Sequence, residues 1–94
     1  MEYNFVKRLD DSTYGIFLSL DKDYVVLLQG FLETYEGIGT IRSLSKKDSL
    51  VCIITTNSML DDCIEFLNAI KDQIKWKAFL DFDIISNEII LGAN

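Results

Sequence analysis

The sequence contains no histidine, so its acidic pairs are the groups that most resemble a metal or acid–base site, and its two cysteines are the candidate thiols. Closely spaced acidic residues occur at Asp10/Asp11, Asp21/Asp23, Asp61/Asp62 and Asp81/Asp83. Such pairs suit cation binding or acid–base catalysis, but a calcium loop needs about five oxygen ligands at fixed offsets around a central glycine. None of the pairs fits that pattern. We interpret them as helix caps and solvated faces, and expect no metal site and no catalytic carboxylates.

The two cysteines do not form a recognisable reactive or metal-binding motif. Cys52 and Cys63 lie in different predicted elements, without CxxC spacing and without a histidine to complete a zinc site. A nucleophilic Cys63 would need an electropositive setting, whereas its neighbours are Asp61, Asp62 and Glu65, which raise the pKa of a thiol. We therefore expect two reduced, mostly buried thiols, no cofactor and no enzymatic activity.

Length and charge exclude several classes of function. The 94 residues are enough for one domain, 1–94, built around one core. The net charge of -6 and the pI of about 4.4 repel phosphate backbones and anionic lipids, so we expect neither nucleic-acid nor membrane binding. No run approaches the roughly 20 apolar residues of a membrane-spanning helix, and "MEYNFVKRLDD" lacks the apolar core of a secretory signal. These features predict a cytoplasmic protein.

Periodic apolar residues predict two helices. The first runs from Asp21, whose side chain is a suitable N-cap, to Glu36, and Gly37 is suited to the left-handed conformation that ends it. Gly30 inside this helix costs about 1 kcal/mol relative to alanine, so we expect a close packing contact there. The apolar stripe consists of Tyr24, Leu27, Leu28, Phe31, Leu32 and Tyr35.

The second predicted helix runs from Met59 to Ile74. Ser58 is its expected N-cap, with Asp61 three residues later in the capping-box position. Its apolar stripe consists of Leu60, Ile64, Leu67, Ile70 and Ile74.

Four segments around the helices have the pattern of strands. They are "YGIFLSL" (14–20), "IGTIRSL" (38–44), "LVCIITT" (50–56) and "WKAFLDFDI" (76–84). The third is apolar throughout, as expected of an interior strand, whereas the fourth alternates like an edge strand. The order strand, helix, strand, strand, helix, strand predicts an α+β, ferredoxin-like βαββαβ sandwich with both helices on one face. Residues 2–9 and 86–91 remain as possible additional strands.

The sheet face without helices is the predicted interface. If Ile16 and Leu18 point toward the helices, Phe17 points away, and the same alternation in the third strand would leave Val51 and Ile53 on the open side. A large exposed apolar patch usually marks a contact surface. Either a terminal segment covers it, or a second copy or another protein does; we expect a homodimer. The predicted interface residues are Phe17, Val51, Ile53, Phe79 and Ile41.

The segment "FLETYEGIGTIRSLSKKDSLVCIITTNS" (31–58) resembles a family of short uncharacterised bacterial proteins, a domain of unknown function. The matching positions are Glu33, Thr34, Tyr35, Glu36, Gly37, Arg42 and Leu44, and the likeness covers about residues 14–75. The family is similar to ACT domains, which often pair and bind small effectors at subunit interfaces. The resemblance thus implies an alternative function, binding of an effector such as an amino acid, with Asp21 and Asp23 as candidate contacts. Because "SLDKDY" lacks the glycine through which ACT effectors approach the backbone, protein association remains the leading expectation.

Overall fold

The structure, a computed structural model, describes residues 3–35, 38–45 and 49–80. These residues form an α+β arrangement of two helices and an antiparallel five-stranded sheet. In chain order the elements are β1 (Val6–Arg8), β2 (Thr13–Ser19), α1 (Lys22–Thr34), β3 (Thr40–Ser45), β4 (Leu50–Thr56), α2 (Leu60–Ala69) and β5 (Lys77–Ala78). Among the described residues, neither helix has the length and apolar character needed to cross a bilayer.

The two long strands β2 and β4 form the centre of the sheet. The hydrogen-bonded order is β1-β2-β4-β3, and β5 also pairs with β2. β1 and β5 occupy successive parts of the same edge of β2, and Phe17 lies where they meet. The amide of Phe17 donates to the carbonyl of Phe5, and its carbonyl accepts from the amide of Phe79, both at 2.9 Å. Two segments that are distant in sequence therefore converge on Phe17.

Both helices pack against one face of this sheet. Leu28 and Leu32 of α1 and the apolar stripe of α2 contact the side chains of β2 and β4 that point toward them. We call this cluster the helix-side core. Its buried members are Val6, Ile16, Leu18, Leu20, Leu28, Leu32, Ile38, Val51, Ile53, Leu60, Cys63, Ile64, Leu67, Ile70, Ile74 and Trp76.

The apolar stripe of α1 is narrower than the sequence predicts. Leu28 and Leu32 are buried and Tyr24 is half-buried, but Leu27 is 52% exposed and Tyr35 is 51% exposed. Successive helical residues are rotated by about 100°, so Leu27 turns away from the sheet when Leu28 points directly at it. The expected placement of Leu27 and Tyr35 in the core is therefore wrong.

Both predicted side-chain caps are also wrong. Asp21 precedes α1, but its side chain makes no cap hydrogen bond; its backbone carbonyl accepts from the amides of Tyr24 and Val25 instead. At α2 the N-cap position is Met59 rather than Ser58, again without a side-chain cap bond. The stop residue Gly37 and the end of the fourth predicted strand lie outside the described residues.

Gly30 lies in open space, so the packing contact expected there is absent. A Cβ at Gly30 would meet no atom within 4 Å. We expect Gly30→Ala to raise the free energy of unfolding of the monomer by about 1 kcal/mol, because glycine carries that cost inside a helix. Urea unfolding at low protein concentration measures the change. A loss of stability would contradict this placement.

Substitution of Gly39 by alanine is the control, and we expect it to change stability in the opposite direction. A Cβ there would lie 2.8 Å from Cγ2 of Ile53 and 3.3 Å from the carbonyl oxygen of Ile54. Because neither neighbour is the free end of a long side chain, Gly39→Ala should destabilise the protein by about 1–3 kcal/mol.

Candidate interaction surfaces

The sheet face opposite the helices carries a small apolar cluster of its own. Leu9, Phe17 and Cys52 are its buried members, and Leu44, Ile54 and Phe79 pack against them. We call this the opposite-face cluster. Phe17 and Cys52 have no exposed surface at all. Of the five predicted interface residues, the structure places Phe17 and Phe79 on this face.

The other three predicted interface residues lie on the wrong side of the sheet for that role. Directly opposed residues of antiparallel strands share a face, and Ile53 is opposed to both Ile16 and Ile41, while Val51 is opposed to Leu18. Val51 and Ile53 belong to the helix-side core, and Ile41 packs against it. The predicted orientation of β4 was therefore reversed, because a uniformly apolar strand does not reveal which alternate residues face which side.

Residue Leu9 covers part of the opposite face. A Cβ at Gly15 would lie 2.9 Å from Sγ of Cys52, 3.2 Å from Cδ1 of Leu9 and 3.3 Å from Cε2 of Phe17. The absence of a side chain at Gly15 thus allows Leu9 to pack over β2 and against Phe17. Because Phe17 is fully buried, it is not accessible to a partner in this conformation.

The two cysteines are free and buried, as expected. Burial raises the pKa of each thiol to about 12. For Cys63 the cause is burial alone, not the neighbouring acids that the sequence suggested. For Cys52, burial outweighs the smaller lowering effects of a hydrogen bond to the Ile16 backbone and of the Arg42 charge. Both side chains are therefore neutral and protected near pH 7.

The acidic residues of the described segments are all exposed. Asp21 and Asp23 are exposed at the start of α1. Asp10 accepts a hydrogen bond from the amide of Ser12 at 3.0 Å, which is the main reason that its pKa is lowered. In the described part of the chain, no three Cys, Asp or Glu side chains are grouped closely enough to hold a metal ion. Asp81 and Asp83 lie outside that part.

The outward side of α1 is more apolar than a solvated helix requires. Val26 is 71% exposed and Leu27 is 52% exposed, and the exposed Gly30 follows them one turn later. Lys22 and Glu33 are exposed near opposite ends of the helix. We call these five residues the α1 outer face. The apolar periodicity of the sequence assigns Leu27 to the core and leaves Val26 out of the stripe, so it gives no sign of this surface.

A groove lies between the end of α1 and one side of α2, with a volume of about 570 Å³. We call it the α1–α2 groove. The rings of Tyr35 and Phe66 are in contact at 4.9 Å between centroids, tilted by 56° to each other, and Asp62 and Glu65 also line the groove. Its described lining residues are Thr34, Tyr35, Ile38, Met59, Asp62, Glu65, Phe66 and Ala69.

Local hydrogen bonds fix the chain where α1 ends beside this groove. The amide of Tyr35 donates to the carbonyl of Leu32, and the amide of Ile38 donates to the carbonyl of Tyr35, both at 3.2 Å. The buried hydroxyl of Thr55 then donates to the carbonyl of Ile38 at 2.7 Å. These bonds link the buried Ile38 to Tyr35 on one side and to β4 on the other.

Together, the antiparallel sheet, the helices on one face and the exposed helix surfaces define a small α+β domain. A family model described as "Domain of unknown function (DUF4911)" matches residues 18–74, more than half of the chain. The chain belongs to this family, in agreement with the resemblance seen in the sequence. No curated protein and no solved structure matches it.

Proposed function

We propose that this chain is a non-catalytic protein-interaction module that pairs with a second copy of itself through the α1 outer face. The observation that carries the proposal is the adjacency of the exposed Val26 and Leu27 to Gly30, where a side chain would meet no atom within 4 Å. Apolar side chains beside a bare stretch of helix backbone allow a second helix to approach closely. The buried Phe17 and Ile53 offer no comparable surface.

An antiparallel pairing fits this surface if the twofold axis crosses the outward side of α1 at the level of residue 28. Val26 of each copy would then lie over Gly30 of the other, because both residues are two positions from the centre. In such an isologous contact each interaction occurs twice, once on each side of the twofold axis. One pair of 13-residue helices buries less area than the roughly 1,200–2,000 Å² of a standard stable interface, so the dimer is weak and depends on concentration.

The charges of α1 complement each other in this antiparallel pairing. Lys22 and Glu33 lie on the same flank of the helix, about 20° apart when viewed along the axis at about 100° per residue. Reversing the second helix brings Lys22 of each copy to within one residue, about 1.5 Å along the axis, of the level of Glu33 of the other. The pairing would therefore carry two equivalent ion pairs at its ends, which favours this orientation over the parallel one.

Charge reversal tests the pairing directly. Lys22→Glu and Glu33→Lys should each weaken dimerisation by about tenfold, since each replaces two symmetric attractions with repulsions. The combined variant Lys22→Glu/Glu33→Lys should restore it. Sedimentation or light scattering over a concentration series at low salt measures the effect. A wild-type chain that stays monomeric up to 1 mM, or a double variant no better than the singles, would refute the proposal.

For the fold, we propose a ferredoxin-like arrangement to which β1 is an addition. The supporting observation is the pairing series β5-β2-β4-β3, in which the two strands that precede helices lie at the centre. In a ferredoxin-like βαββαβ unit, the first and third strands likewise lie side by side at the centre. A cytoplasmic location and the relation to ACT domains and bacterial proteins stay predictions.

Binding of a small effector at Asp21 and Asp23 is the alternative function and also stays a prediction. Both residues are exposed, and neither lines the α1–α2 groove. If effector binding is correct, a panel of free amino acids should contain at least one that raises the melting temperature, since a ligand stabilises the state that binds it.

A further inference from the structure

We propose that the α1–α2 groove binds a short segment of another protein that presents an arginine side chain. This site is separate from the proposed dimer contact and does not depend on it. The groove combines the features that recognise a guanidinium group: exposed aromatic surface and nearby carboxylates, supplied by Tyr35, Phe66, Asp62 and Glu65.

The aromatic side of the groove is formed by residues from both helices. Phe66 of α2 is half-buried and packs edge-on against Phe31 of α1, with 6.4 Å between ring centroids. Tyr35 lies at 4.9 Å from Phe66 and is 51% exposed. The contact with Phe31 therefore restrains the Phe66 ring, whereas the Tyr35 ring is accessible to solvent. A guanidinium group stacks favourably on such a surface.

The charges around the groove favour a cation and disfavour an anion. Asp62 and Glu65 are exposed on α2 and line the groove. None of its described lining residues carries a positive charge. The chain as a whole has a net charge of -6, which attracts basic ligands and repels nucleic acids and anionic lipids. An arginine can therefore stack on Tyr35 while it donates hydrogen bonds to a carboxylate.

The length of the groove favours a peptide over a free amino acid. The residues that α2 and its N-cap contribute extend from Met59 to Ala69, which corresponds to about 15 Å at 1.5 Å per helical residue. An extended peptide of about four or five residues spans this distance at roughly 3.3 Å per residue. A single amino acid would occupy only part of it.

Titration with a short synthetic peptide tests the site. The probe is the capped pentapeptide Ac-Gly-Ala-Arg-Ala-Gly-amide, and the matched control peptide has glutamine in place of arginine. Amide chemical shifts of the isotope-labelled full chain should change around Tyr35 and Phe66 with the arginine peptide, and the control should bind at least tenfold more weakly. Free arginine amide should also bind more weakly than the pentapeptide.

Variants distinguish peptide binding in the groove from non-specific electrostatic attraction to the acidic protein. Asp62→Asn/Glu65→Gln should weaken binding by about tenfold, and Tyr35→Ala by about threefold to fivefold. Asp11→Asn is the control: its side chain is fully exposed and does not line the groove, so the affinity should change by less than twofold. Because Tyr35 is half exposed, its replacement should leave the fold intact, which a thermal melt verifies.

Three results would overturn the proposal: no shift changes up to several millimolar peptide, equal binding of the glutamine peptide, or equal losses in Asp11→Asn and in the groove variants. Sedimentation of the same variants keeps this test separate from the dimer proposal. The groove variants should dimerise as the wild type does, and Lys22→Glu should bind the peptide normally.

Discussion

Replacing Phe17 by alanine is expected to lower the free energy of unfolding by about 3–5 kcal/mol, the usual cost of deleting a fully buried phenylalanine. Phe17 has no exposed surface and packs with Leu9 and Cys52 on the opposite face of the sheet. Along one edge of β2, its amide donates to Phe5 beside β1 and its carbonyl accepts from Phe79 beside β5. The cavity would therefore form where three strands meet, a position that cannot collapse easily.

The matched control for Phe17→Ala is Leu27→Ala. Leu27 is 52% exposed on α1, so its truncation should change monomer stability by less than about 0.5 kcal/mol. Urea unfolding of both variants at a concentration below dimerisation measures the contrast. If Phe17 were instead an accessible interface residue, its replacement would affect association but cost less than about 1 kcal/mol of monomer stability. That result would contradict the buried placement.

Alkaline pH is expected to destabilise this protein through its two thiols. The pKa of Cys52 and of Cys63 is raised from 9.0 to about 12 in the folded chain. The folded state thus holds two protons that the unfolded state releases above pH 9. This stabilising contribution is complete below pH 9, and it is lost as the pH rises toward 12. The loss approaches about 1.4 kcal/mol per pH unit for each thiol.

A double variant isolates the contribution of the thiols to this pH dependence. Cys52→Ala/Cys63→Ala should be less stable than the wild type at pH 8, because it leaves cavities, but the difference should shrink between pH 9 and pH 11. Lysine and tyrosine titrate equally in both proteins, so the comparison cancels their effects. The free energies of unfolding from urea titrations at each pH measure the difference. Parallel pH dependences for the two proteins would show that the thiols ionise normally.

Local patterns predicted the elements of secondary structure well. The sequence places strands at 14–20 and 50–56, and the structure has them at Thr13–Ser19 and Leu50–Thr56. The first helix is present, but α2 ends at Ala69, five residues before the predicted end, and the remaining residues form turns. Helix ends depend on which backbone groups find partners elsewhere, so periodicity alone does not locate them.

The candidate surfaces were less predictable because they depend on small rotations and on remote contacts. Leu27 and Leu28 are adjacent in sequence and equally apolar, yet one is exposed and the other is buried. The α1–α2 groove joins Tyr35 to Phe66, which are 31 positions apart. Its aromatic and acidic residues carry no local signal of their proximity. Only the packing of α1 beside α2 brings them together.

The sequence alone determined the acidic charge and the order of the main strands and helices, since these follow from composition and from short-range periodicity, and the motif in residues 31–58 indicated the family. The tertiary structure decided which side of β4 faces the helices. In "LVCIITT" both alternating rows are apolar, so hydrophobicity favours neither orientation, and the choice depends on register with Ile16 and Leu18 across the sheet. That single choice moves Val51 and Ile53 into the helix-side core, where they are buried.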